Sequence, residues 1–111
     1  MSTVTLLSLA ALWEGGEPVE SLHIVVRGRV QGVAFRAFTR RTAQSLGLRG
    51  WVRNRPEGTV EIQVTGPSEA LQTFQRKVGE GPRFARVDGV EVRPLERWTE
   101  PPPEEGFEVI V

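Results

Sequence analysis

Leu22-His23-Ile24-Val25-Val26-Arg27-Gly28-Arg29-Val30-Gln31-Gly32-Val33-Ala34-Phe35-Arg36 is the stretch from which the rest of the chain can be read. Its first part alternates, with Leu22, Ile24 and Val26 on one side and His23, Val25 and Arg27 on the other, which is strand periodicity. From Phe35 the period changes. Phe35, Phe38, Thr42 and Leu46 recur at steps of three and four, giving one stripe along a helix of about three turns that Gly47 ends. Between strand and helix lies a short loop carrying Gly28 and Gly32. Such a corner presents backbone N–H groups without intrahelical partners, backed by the positive end of the helix dipole, and so suits an anion. Arg36 falls in the first helical turn, where a cation is mildly unfavourable against the dipole. Its placement makes sense when an anion is held between the two.

Working outward, Leu48–Asn54 reads as a second strand with Trp51 and Val52, and Arg55-Pro56-Glu57-Gly58 as a tight turn. Val60, Ile62 and Val64 alternate with Thr59, Glu61, Gln63 and Thr65, which predicts a half-buried third strand whose polar side faces solvent. Gly66-Pro67-Ser68 opens a second helix, with Pro67 expected in its first turn and Ala70, Leu71, Phe74 and Val78 on its buried face. Gly79-Glu80-Gly81-Pro82 stops it. Arg83–Arg93 is a fourth strand in which Val87 and the pair Val90, Val92 fall on opposite parities, so a bulge near Asp88-Gly89 is expected. Leu95–Gly106, with Pro101-Pro102-Pro103, is an extended exposed connection, and Phe107, Val109 and Val111 alternate as a short closing strand. The order β-α-β-β-α-β with an additional C-terminal strand predicts an α+β, ferredoxin-like sandwich, an antiparallel sheet with two helices on one face.

The chain has 111 residues, enough for one domain with a modest core. It has no cysteine, which excludes thiol chemistry, zinc–thiolate sites and disulfides and fits a reducing compartment. His23 is the sole histidine and sits in a strand, so no Ser–His pair or His-rich metal site can form, and a structural role is expected for it. The formal net charge is zero, and nothing global points to nucleic acid. Its distribution is uneven, however. Residues 22–56 hold eight arginines and no carboxylate, a segment that focuses positive potential near the glycine loop. Within it, Arg40 and Arg41 read as a solvated helix face. Residues 1–20 read as a flexible or loosely packed extension hinged at Gly15-Gly16, ahead of a domain over residues 21–111. Val4–Leu12 lacks a basic flank and a cleavage site and is too short to span a bilayer, so a cytoplasmic location is expected.

The segment GRVQGVAFRAFTRRTAQSLGLRGWVRNRPEGTVEIQVTGP, residues 28–67, strongly resembles the acylphosphatase family, small hydrolases of carboxyl–phosphate mixed anhydrides. The resemblance runs from about Leu22 to Val111, with signature parts at Gly28–Arg36 and Gly50–Glu61, and is joined by ARVDGVEV and the terminal FEVIV downstream. It implies that the backbone amides of Arg29, Val30, Gln31, Gly32 and Val33 cradle the substrate phosphate and that Arg36 grips it through its guanidinium. It further implies that Asn54 orients the attacking water, without cofactor or metal. The expected partner is a small-molecule acyl phosphate, with no nucleic acid and no membrane, and the expected state is a monomer. Whether the Gln31 side chain touches the ligand is left open. Ala34 stands where family members often have glycine or a bulky aromatic, and Glu57 where aspartate is common.

Two other readings compete. The first is a small anion- or RNA-binding ferredoxin-like module without catalysis, which would need aromatics on the sheet surface. The polar third strand and the absence of tyrosine count against it. The second is a carbamoyl-phosphate-handling domain of the kind such folds supply to larger maturation enzymes. With the chain ending at Val111, a stand-alone hydrolase is the simpler expectation.

Overall fold

Strand periodicity from Val19 onward resolves into a single sheet in the computed structural model, which describes residues 19–95 and 106–110. Nearly all of the expected extension over residues 1–20, most of the expected connection Leu95–Gly106, and Val111 lie outside the described residues. The elements are β1 (Val19–Arg29), α1 (Phe35–Ser45), β2 (Arg49–Asn54), β3 (Val60–Pro67), α2 (Ser68–Glu80), β4 (Arg86–Leu95) and β5 (Phe107–Ile110). The sheet order is β4-β1-β3-β2-β5. All pairings are antiparallel except β2 with β5, which is parallel. This is the ferredoxin-like β-α-β-β-α-β arrangement, with the fifth strand added at the β2 edge and both helices on one face. The chain leaves one edge of the sheet at Leu95 and rejoins the other at Phe107, which lets β5 run alongside β2 in the same direction.

Register explains where the core lies. Ile24 faces Ile62 and Val92, and Ile62 faces Val52, which faces Val109, so one row of β-branched side chains crosses the sheet under the helices. The next row holds Val90, Val26, Val60 and Asn54. Asn54 thus shares the helix-covered side with Val52 by strand parity alone. Leu71, Phe74 and Val78 of α2 are buried against this side, and α1 contributes Phe35 and Ala43. Each fully buried side chain of this size contributes roughly 1.5–3 kcal/mol by transfer from water.

Two expectations shift in detail, and a third is met. The buried side of α1 is Phe35, Thr39, Thr42 and Ala43, while Phe38 and Leu46 are half-buried. Thr39 and Thr42 enter the core because each hydroxyl donates to a carbonyl four residues back, Phe35 O and Phe38 O, both at 2.9 Å. Pro67 is not in the first turn of α2. It precedes the helix in extended conformation because it still pairs with Val19 in the ladder. The bulge in β4 is present. Arg27 faces Gly89 and Gly28 faces Val87, leaving Asp88 as the extra residue, and Val87 and Val90 both pack against the core. Gly28 has φ +130° there, and a Cβ on it would collide with the Arg86 carbonyl.

The larger departure is on the outer face of the sheet. Glu61, Gln63 and Thr65 of β3 are buried, not solvated. Their cover comes from neighbouring strands, which alternation within β3 cannot reveal. Glu61 faces Val25 on β1 and Arg53 on β2. His23 Nε2 lies 2.7 Å from Glu61 Oε2, and Arg53 Nε donates to Oε1 at 2.8 Å. A carboxylate only accepts, so the proton sits on Nε2. Arg53 also lies over the Trp51 ring, 4.7 Å from its centre. His23 is therefore a structural histidine, as its strand position suggested. Ser21 Oγ donates to Thr65 Oγ1, which donates in turn to Glu20 O, each at 2.9 Å.

Burial acts to raise the Glu61 carboxyl, but hydrogen bonds from His23 and Arg53 outweigh it and hold the group below its ordinary value of 4.5. A depressed carboxylate adds stability that is present above the unfolded-state pKa and lost as pH falls through the folded one. Glu61→Gln should therefore cost about 1–2 kcal/mol at neutral pH, from the lost charge-assisted hydrogen bonds. It should also reduce the steepness with which stability falls below about pH 4.5, in denaturant titrations across pH.

Candidate active site

The corner between β1 and α1 is built around a backbone that turns left-handed twice. Gly32 has φ +75°, and Ala34, just before the helix, has φ 62° and ψ 26°, the sole non-glycine residue with positive φ among the described residues. Ala34 is exposed and supplies no side-chain cap, and α1 has no acidic residue in its first turn. The first intrahelical bond runs from Phe38 N to Ala34 O at 3.0 Å, so the preceding N–H groups of the turn have no carbonyl four residues back to meet. A positive helix end with no side-chain cap and no acid in its own first turn is an electrostatic setting for an anion.

The loop is braced from below. Gln31 Nε2 donates to Arg55 O at 2.8 Å and to Thr59 O at 2.9 Å, tying it to the β2–β3 hairpin. That turn is closed in its own right by Arg55 N to Thr59 O and Gly58 N to Arg55 O. The Gln31 side-chain N–H groups are thus spent on the scaffold.

A cavity of about 430 Å³ opens beside this corner. Arg36, Asn54, Val30 and Gly32 all line it, so the two side chains read as catalytic and part of the cradle loop meet at one site. Arg29 is exposed at the end of β1 and, like Gln31 and Val33, does not line the cavity. Arg36 is half-buried, and its Nη1 lies 3.5 Å from the carbonyl of Ile110, which places the guanidinium beside the end of β5. Asn54 ends β2, and its Oδ1 is buried yet accepts no hydrogen bond. A buried acceptor left over at the edge of a cavity asks for a donor that the protein does not supply.

Arg40, Arg41, Gln44 and Val109 also line the cavity, none of which had been expected there. Arg40 and Arg41 are exposed, as a solvated helix face should be, but they also border the site. The signal was present in the spacing: Arg36, Arg40 and Gln44 are four residues apart and share one side of a helix. Val109 could not be foreseen, because it arrives only through the parallel pairing of β5. Among the described residues, no Asp or Glu lines the cavity and no group of three His, Asp or Glu side chains could hold a metal ion. No described helix is long and apolar enough to cross a membrane.

The acylphosphatase family model matches residues 22–109. An acylphosphatase of Thermus thermophilus is 47% identical over 88 residues, covering 79% of this chain and 96% of that protein. Among solved structures, an acylphosphatase from Bacillus subtilis superposes with a TM-score of 0.76 at 37% identity, covering 83% of this chain and 99% of its own. Full-length HypF, solved in a phosphate- and nucleotide-bound form, also matches, with a TM-score of 0.70 and 28% identity. That match covers 84% of this chain but 12% of HypF.

An alanine held in the left-handed region costs roughly 1–2 kcal/mol that glycine avoids. Ala34→Gly should raise stability by about 0.5–1 kcal/mol after the extra freedom of unfolded glycine is subtracted. Ala34→Val should lower it, since a β-branched residue is poorly tolerated at that φ. Denaturant midpoints with unchanged slope read both.

Proposed function

The chain belongs to the acylphosphatase family, and from that premise we propose that it hydrolyses acyl phosphates to carboxylate and inorganic phosphate at the cavity beside Arg36 and Asn54. The observation that carries the assignment is the meeting, in one cavity, of an arginine, a buried amide oxygen without a partner and an uncapped helix end.

The chemistry needs little more. An acyl phosphate leaves as a carboxylate, whose low pKa removes the need for a general acid. What remains is to hold the phosphoryl group, place a water in line and stabilise charge on the equatorial oxygens. In our assignment the backbone N–H groups of Arg29–Val33 and the start of α1 receive the phosphoryl oxygens. The Arg36 guanidinium binds them with its planar fork, a geometry lysine lacks. Asn54 Oδ1 accepts a hydrogen bond from the attacking water and fixes its line of approach. An amide is no base at neutral pH, so the water's proton passes to a phosphoryl oxygen as the P–O bond to water forms and the bond to the acyl oxygen breaks. We take the enzyme to act as a cytoplasmic monomer on a small-molecule substrate.

The RNA-binding alternative finds less support. Trp51, on the outer sheet face, is 3% exposed beneath Arg53, and the exposed Phe84 lies in the α2–β4 connection, not on the sheet. A stacking platform needs rings open to bases.

With benzoyl phosphate and EDTA present, the parent should turn over and inorganic phosphate should compete. Asn54→Ala should lower kcat by at least about 100-fold while phosphate still binds by calorimetry. Arg36→Ala should lower kcat/KM by roughly a thousandfold and abolish phosphate binding as well. Parent-like turnover by Asn54→Ala would remove the water-positioning role.

A further inference from the structure

The cavity is longer than its phosphoryl end. At about 430 Å³ it lies within the size range of small-molecule sites, roughly 300–1,000 Å³, and exceeds what a lone phosphate requires. It runs along α1, from Arg36 past Arg40 and Arg41 to Gln44. Arg40 is one helical turn from Arg36, about 6 Å along the axis, and Gln44 about 12 Å. Val109, an apolar side chain left 36% exposed, also lines the cavity.

The charge on this helix has no internal explanation. FRAFTRRTAQS holds three arginines and no carboxylate, so no i,i+4 ion pair can form within it. Arg36 and Arg40 are instead like charges at i,i+4, an arrangement that destabilises a helix. None of the three arginines reaches the last turn, where the dipole would favour a cation. Neither Arg40 nor Arg41 forms an ion pair with another described residue. Repulsion of this kind is offset when an anion sits among the guanidinium groups. One phosphoryl group at the helix N-terminus answers Arg36, but it does not extend a turn further to answer Arg40 and Arg41.

We propose that the site selects acyl phosphates whose acyl part carries a second anionic group, a carboxylate or phosphate held by Arg40 and Arg41 one turn along α1 from the phosphoryl end; this rests on the hydrolase assignment made above for the same cavity. The apolar body between the two anions lies along Val109. Arg40 and Arg41 act on specificity, not on the bond being broken.

The test compares benzylphosphonate with 4-carboxybenzylphosphonate by calorimetry, on the parent and on an Arg40→Gln/Arg41→Gln double variant, with turnover of benzoyl phosphate measured in the same samples. The parent should bind the carboxylated ligand about tenfold more tightly. The double variant should lose that preference while its affinity for benzylphosphonate stays within about twofold. Equal affinities in the parent, a preference that survives the double substitution, or equal weakening of both ligands would each overturn the second-anion site. A preference shown by the parent and lost in the double variant, without benzoyl phosphate turnover by the parent, would instead sink the hydrolase assignment and leave the second-anion site standing.

Discussion

Everything at this site depends on one unfavourable arrangement, an α-helix whose positive end is left uncapped and is then given an arginine in its first turn. Proteins ordinarily blunt a helix N-terminus with a side-chain oxygen or a carboxylate. Here Ala34 provides neither, and the helix carries no acid at all. The backbone is also bent into a left-handed conformation that alanine adopts at a cost. Local rules broken together in one place mark a functional position, where strain and unpaired charge are tolerated because a ligand completes the structure.

The remainder of the fold keeps that corner rigid. Strand parity sets Asn54 on the helix-covered side in the same row as Val60 and Val26, at the end of β2 nearest the loop. Gln31 ties the loop to the hairpin that β2 enters, so the loop and the end of β2 that carries Asn54 are held together by two hydrogen bonds. On the far side of the sheet, the buried Glu61 with His23 and Arg53 locks the three central strands in register without touching the cavity. Among the described residues, the outer face holds the buried ion pairs of Glu61, while the arginines that line the cavity form no ion pair.

Much of this was legible in the residues. Alternation at Leu22–Val26 and Val60–Val64, the helical stripe from Phe35, the parity break at Asp88-Gly89 and the glycine loop ahead of Arg36 each follow from local periodicity or local backbone demands. What escaped depends on contacts between distant segments. Alternation in β3 assigns Glu61, Gln63 and Thr65 to one face but says nothing of the β1 and β2 side chains that bury them. The direction of β5, and with it the arrival of Val109 at the cavity, is a property of strand order. The role of the Gln31 side chain was left open by its position in the loop, and its amide donates to two carbonyls more than twenty residues away. Arg40 and Arg41 were placed correctly on an exposed helix face. What sequence could not supply was the cavity that face borders.

Backbone amide chemical shifts of the ¹⁵N-labelled protein during a titration with inorganic phosphate bear most directly on the central claim. A phosphate held at the helix end should move the N–H signals of Gly32 to Ala37 and the Arg36 side-chain Nε, with saturable and shared affinity, while His23, Glu61 and the outer face stay still. Largest shifts at the outer sheet face, or no saturable shift between Gly32 and Ala37, would contradict an anion site at this corner.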